Sequence, residues 1–149
     1  MQPVYVVFAG VNGAGKSTFY RTGLWRTEDM PRTMTRVNSD EIVVVQGGDP
    51  ASSADQLRAG REAVRLIEEC LSRRRSFNQE TTLTGHAVLR NMSRAREAGY
   101  RVVLYYIGVD TAAVALDRIA HRVAVGGHDI DEGAVLRRYR ASLGNLSRA

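Results

Sequence analysis

The chain has 149 residues, 44% of them hydrophobic and 25% charged, enough for one domain with a buried core and too few for a second. Such a composition excludes wholesale disorder, and the longest apolar run, Val102 to Ile107, is too short to span a bilayer. The formal net charge of +5 admits a nucleic acid or a phosphorylated small molecule as partner; because the basic residues are not interleaved with aromatics, the small molecule is favoured.

Met1 to Pro3 carry no secretory-signal pattern. The single cysteine, Cys70, excludes an internal disulfide, so a soluble protein of the reducing cytoplasm is expected. Val4 to Ala9 predict the first strand. It stops at Gly10, where Gly10-Val11-Asn12-Gly13-Ala14-Gly15-Lys16-Ser17-Thr18 fits the G-x-x-x-x-G-K-[ST] phosphate loop without a mismatch, and a helix opens at Lys16.

The loop's chemistry follows from its residue types. Glycines at 10, 13 and 15 let the main chain approach a phosphate closely, and successive N–H groups with the positive end of the next helix converge on the anion. Lys16 is expected on the outer phosphates as a point charge, and the Ser17 hydroxyl on Mg²⁺. Lys16 is the only lysine among 21 basic residues. An ammonium is chemically distinct from a guanidinium, so its placement here looks selected.

Ser17 to Trp25 read as the first helix, with Arg26 to Thr35 as its exit loop. Thr35 to Asp40 read as a short second strand ending in a carboxylate, followed by a helical turn over Glu41 to Val45. Residues 46–52 are a loop by composition. Ser53-Ala54-Asp55-Gln56 fit a capping box, opening a helix whose core-facing positions are Leu57, Gly60, Val64, Ile67 and Leu71. Arg73 to Arg75 close it as a solvated helix end.

Ser76 to Thr82 predict a third strand with a polar end, and Gly85 to Ala98 a helix closed by Gly99. Arg101 to Val109 predict a strand covered on both faces, since its apolar run does not alternate. Asp110 superficially copies the acid of a Walker B strand, but it or Thr111 reads as the cap of a helix with Ala112, Leu116, Ile119 and Val123 on one face. That helix stops at Gly126-Gly127. Asp131 caps a last one with Leu136, Tyr139, Leu143 and Leu146 on its apolar side. Strands alternating with helices predict an α/β parallel sheet of the P-loop kinase type with helices on both faces.

A phosphate loop alone does not separate a kinase from an ATPase or a GTP switch, so the discriminating residues must lie at the other strand ends. Ligands of parallel sheets bind beyond the carboxyl ends of the strands, where Asp40 and Glu80 are expected. Phosphoryl transfer to a hydroxyl needs a base beside the acceptor and a carboxylate helping to hold Mg²⁺. Asp40 is the candidate base; it also fits a cap for residues 41–45. Arg118 and Arg122, four apart, share a helix face, and Gly126-Gly127 would let the segment beyond them swing. These arginines also read as surface charges beside an apolar stripe, and His128 as a loop or capping residue.

Three segments together, Gly10 to Thr18, Val37 to Ile42 and Phe77 to Gly85, make the sequence resemble the zeta toxin kinases and their short bacterial relatives. Gly99 to Val102, Arg122-Val123, Gly126 to His128 and Arg137 to Tyr139 extend the likeness in order over most of the chain. The resemblance implies an ATP-dependent, Mg²⁺-requiring kinase acting on a sugar nucleotide, UDP-N-acetylglucosamine for the best-known members. It implies Asp40 as the base, Glu80 and Thr82 as positioning the sugar or the metal, and Arg122 and Arg138 as paired arginines clamping the transferred phosphate from a mobile lid around residues 118–140. It also implies an antitoxin covering the nucleotide mouth. The family pattern carries a further strand and loop after the last helix, which this sequence lacks, so a four-stranded sheet is expected, either completed by a partner subunit or short of that element, with an open edge that favours self-association.

Overall fold

A computed structural model describes residues 1–127 and 129–149; His128 lies outside the described residues. The elements are β1 (Val4–Ala9), α1 (Lys16–Thr22), β2 (Thr35–Val37), α2 (Ser39–Val45), α3 (Ser53–Ser72), β3 (Phe77–Thr81), α4 (His86–Glu97), β4 (Arg101–Tyr106), α5 (Ala112–Ala124) and α6 (Glu132–Leu146). The sheet has the order β2-β3-β1-β4, and every pairing is parallel. This is the α/β architecture the alternation predicts. No helix among the described residues is long and apolar enough to cross a membrane.

Period-two alternation sends the side chains of β1 to opposite faces. Tyr5, Val7 and Ala9 join Phe77, Ala63, Ile67, Cys70, Val88 and Met92, so α3 and α4 cover one face. Val4, Val6 and Phe8 join Trp25 and Met30 on the other, with Phe19 and Tyr20 of α1 packed alongside. A third cluster, Val11, Ala14, Ala115, Ile119 and Val135, seats α5 and α6 directly against the loop that follows β1. Two cores therefore flank β1 along its length, and the third lies past its carboxyl end.

Several elements differ from the sequence reading. β2 ends at Val37 rather than at Asp40, because the Asn38 side chain accepts from the Asp40 and Glu41 backbone N–H groups and turns the chain into α2. Asp40 thus sits in the first turn of a helix, and Asn38 is the cap. α1 ends at Thr22, where Gly23 closes it, and Trp25 folds back to donate to the Tyr20 carbonyl oxygen. Ser52, not Ser53, caps α3, while Gln56 turns to the Pro50 carbonyl, so no capping box forms.

The buried face of α3 is Ala59, Ala63, Ile67 and Cys70, whereas Leu57 and Val64 point to solvent. Tyr5 and Phe77 stack with ring centroids 4.2 Å apart in the core that Ala63, Ile67 and Cys70 of this helix join. β4 ends at Tyr106 and is half-buried throughout, since it forms an edge; β1 is the strand covered on both faces. In α5 the buried residues are Ala115 and Ile119 and Val123 is exposed, while α6 buries Val135, Ser142 and Asn145 and exposes Leu136 and Leu143.

Candidate active site

A cleft of about 1750 Å³ opens at the carboxyl ends of β1 and β3, lined by residues 12–19, the first turn of α2, the end of β3 and inward faces of α5 and α6. It gathers Lys16, Ser17, Asp40, Glu80, Thr82, Arg122 and Arg138, which are scattered over more than a hundred positions of sequence. Asn12, Gly13, Ala14, Gly15 and Thr18 also line it. Gly10 stands behind the loop, outside the lining, where its carbonyl oxygen accepts from Lys16.

Lys16 opens α1 as a buried side chain. Its Nζ donates to the Gly10 carbonyl oxygen at 2.7 Å and to that of Val11 at 3.0 Å. Burial pushes its pKa down to about 8; the charges of Glu80 and Asp40 oppose that shift, while Arg122 and Arg138 add to it. All four groups act on one ammonium, so the sequence-expected acids and arginines share its electrostatic neighbourhood. No side chain caps α1, which leaves its first backbone N–H groups to a ligand in the cleft.

The loop glycines divide by role. Gly15, at φ +100°, faces open space: a Cβ there would meet nothing within 4 Å, as a phosphate seat requires. At Gly13, φ +80°, a Cβ would stand 2.7 Å from the Ala115 carbonyl oxygen and 3.2 Å from Ile119 Cγ1, so this glycine lets α5 pack on the loop. Arg118 of α5 donates to the Ala14 carbonyl oxygen at 3.1 Å, and Arg138 of α6 to Asn12 Oδ1 at 2.8 Å. Both helices are thereby tied to the loop by polar contacts as well as by the buried cluster. We expect Gly13→Ala to cost about 1–3 kcal/mol through overpacking. Urea unfolding should show a lower midpoint with an unchanged slope; wild-type stability would contradict the seating of α5.

The acids occupy different environments. Ser17 Oγ donates to Glu80 Oε1 at 2.7 Å, and Glu80 Oε2 accepts from Arg36 Nη2 at 2.5 Å and from Asn38 Nδ2 at 3.1 Å. Glu80 is therefore a clamped acceptor of protein hydrogen bonds. Asp40 is exposed on the cleft wall, and among the described residues its carboxylate has no hydrogen-bonding partner. Thr82 Oγ1 lies 2.9 Å from Thr84 Oγ1 past the end of β3. Asp110 does not line the cleft; Thr111 caps α5, and the Asp110 carbonyl oxygen accepts from Tyr139.

The sequence reading missed Arg36 and the role of Asn38. The only trace of Arg36 in sequence is an arginine in a short strand, because its contacts to Asn78 and Glu80 of β3 depend on the β2–β3 register.

The AAA_33 family, described as an AAA domain, matches residues 6–146. The chain belongs to that family. An uncharacterized protein of Haemophilus influenzae is 34% identical to this AAA_33 chain over 139 residues, covering 93% of it and 94% of the relative. Among solved structures, a chain of the Pnkp1/Rnl/Hen1 RNA repair complex superposes on 99% of the chain and 46% of its own length, with TM-score 0.74 and 21% identity. A candidate kinase from Chloroflexus aurantiacus covers 94% of the chain and 80% of itself, with TM-score 0.64 and 18% identity. A chain of the PezAT toxin–antitoxin system of Streptococcus pneumoniae covers 83% and 55%, with TM-score 0.62 and 20% identity. The chain thus spans about half the length of the first and third of these. Together they establish a P-loop kinase-like fold.

Proposed function

We propose that this cleft transfers the terminal phosphate of ATP to a hydroxyl of a small molecule. The observation that carries the reading is the meeting of Lys16, Asp40 and Glu80 at one cleft, where both acids act on the Lys16 ammonium. On this reading Lys16 holds the outer phosphates, with Gly15 leaving space for them. Asp40 is the base: as the acceptor oxygen bonds to the terminal phosphorus, its proton passes to the Asp40 carboxylate, the bond to the bridging oxygen breaks and ADP leaves. Arg122 and Arg138, on the opposite wall, offer guanidinium forks to charge developing on the transferred group.

The donor set fits Mg²⁺. Ser17 Oγ, oriented by Glu80 Oε1, supplies a hard oxygen, and this ion takes one or two protein oxygens beside phosphates and its own waters. Bound there, it would neutralise charge on the outer phosphates.

For the acceptor, we infer a nucleotide sugar such as UDP-N-acetylglucosamine, with Thr82 beside it. The zeta toxin resemblance of residues 10–18, 37–42 and 77–85 supports this, and so does the fold likeness to a chain of a toxin–antitoxin system. On the same reading, a protein antitoxin covers the mouth. The test is transfer of γ-labelled phosphate from ATP to UDP-sugars, to uncharged small alcohols and to an RNA oligonucleotide with a free 5′-hydroxyl. The RNA arm is motivated by the likeness to an RNA repair chain and the net charge of +5. Label on a UDP-sugar is the expected result. Label on another small alcohol corrects the acceptor alone; label on RNA only, or on nothing despite bound ATP, overturns the small-molecule kinase.

A further inference from the structure

Arg36 lies at the centre of a side-chain network that the loop motif does not contain. Its side chain is 14% exposed, and that of Glu80 is 10% exposed. From β2 it donates through Nη2 to Glu80 Oε2 at 2.5 Å, through Nη2 to Glu41 Oε1 at 2.8 Å, and through Nη1 to Asn78 Oδ1 at 3.2 Å. Its guanidinium lies over the Tyr20 ring of α1, 3.6 Å from the centroid. One planar cation thus touches α1, α2 and β3 together, a geometry that a lysine, with its single point charge, does not reproduce.

The network also explains a residue that packing alone does not. Asn78 is a polar side chain, 1% exposed, in the middle of β3. It stands in register with Arg36 and gives that guanidinium its third acceptor. Glu80, two residues further along the same face, then has one oxygen fixed by Arg36 and Asn38 and turns the other to Ser17. Asn38 also caps the helix that carries Asp40, so the same cluster fixes the Ser17 hydroxyl relative to the first turn of α2.

We propose that Arg36 is a positioning residue that orients the Ser17 hydroxyl, through Glu80, for the magnesium ion of a bound nucleotide. Arg36 touches neither nucleotide nor metal. By holding Glu80 Oε2 it leaves Oε1 to accept the hydrogen bond from the Ser17 hydroxyl, so that the serine's lone pairs are free for the metal. Partners of this kind, one shell behind a metal ligand, set ligand orientation and metal affinity. The proposal rests on the nucleotide-binding reading above but not on the identity of the acceptor.

Calorimetric titration of a nonhydrolysable ATP analogue, with Mg²⁺ and with the metal chelated, tests it without any turnover. In wild-type protein Mg²⁺ tightens binding. In Arg36→Lys that gain shrinks about tenfold or more, while metal-free affinity changes by no more than about twofold. Arg36→Gln leaves the buried Glu80 without its guanidinium counter-charge and is prone to unfold, so Arg36→Gln/Glu80→Gln, which removes both charges, stands beside it. Because Arg36 acts through Glu80, the double variant should lose no more of the Mg²⁺ gain than Glu80→Gln alone. A full Mg²⁺ gain in Arg36→Lys, or additive losses in the double variant, overturns the assignment. Wild-type protein that binds no nucleotide under either condition overturns the nucleotide reading as well, which separates the two failures.

Discussion

Replacing Lys16 with methionine is expected to lower kcat/KM for ATP by about 100- to 1,000-fold, the size of effect seen when one preorganised donor to a developing charge is removed. Methionine keeps the apolar stem in its buried slot and removes only the ammonium that the Gly10 and Val11 carbonyl oxygens now hold. The thermal midpoint should therefore move by no more than about 4 °C, the shift that ~1 kcal/mol produces in a chain of this size. Collapse of the fold in Lys16→Met would show that the lysine is structural.

Lys16 carries a pH signature of its own. Burial holds its pKa at about 8 in the free protein, below the usual 10.5, and a bound polyphosphate raises it again by offering the ammonium an anion. Nucleotide affinity is therefore complete below pH 8 and falls as the pH rises through that value, because binding must then take up a proton. Titrations near pH 9 in buffers of different ionisation enthalpy should register the uptake. An affinity that stays flat from pH 7 to 9.5 would contradict the burial of this ammonium at the binding site.

Asp40→Asn gives the second large effect: a fall in kcat of about 100- to 10,000-fold, the range for loss of a positioned general base. ATP affinity should stay close to wild type, since Asp40 contributes to the acceptor side. Steady-state kinetics with the labelled acceptor would show kcat reduced and KM for ATP little changed, the pattern of an interaction made only in the transition state. The alternative role, helix cap, belongs to Asn38. Asp40 adds only a favourable charge in the first turn of α2, worth about 0.3–1 kcal/mol, so Asp40→Asn should unfold nearly as wild type does. Unchanged turnover in that variant would remove Asp40 from the chemistry.

The parts of the site that were legible in sequence are those set by local spacing. The phosphate loop specifies its own turn and helix start within nine residues, so Lys16, Ser17 and Gly15 stand where the motif puts them. Glu80 was legible as the polar end of a strand. Less legible was anything fixed by register or by packing depth. That Glu80 is clamped rather than open depends on Arg36 of β2 and Asn38, the cap of α2, reaching it, which no local pattern encodes. The buried stripe of α3 runs along Ala59 and Ala63 rather than Leu57 and Val64, because its rotation is set by packing against α2 and the sheet rather than by its own largest apolar residues. Likewise Gly13, an anion-loop glycine by its motif, owes its lack of a side chain to the Ala115 carbonyl of a helix a hundred residues away.

The most direct measurement is a crystal structure of the protein with Mg²⁺ and a nonhydrolysable ATP analogue. The expected result is the terminal phosphate against Lys16 Nζ and over Gly15, Mg²⁺ on Ser17 Oγ with Glu80 behind it, and the Asp40 carboxylate facing the open side of that phosphate. A nucleotide bound elsewhere, or Asp40 and Glu80 both turned away from its terminal phosphate, would contradict it.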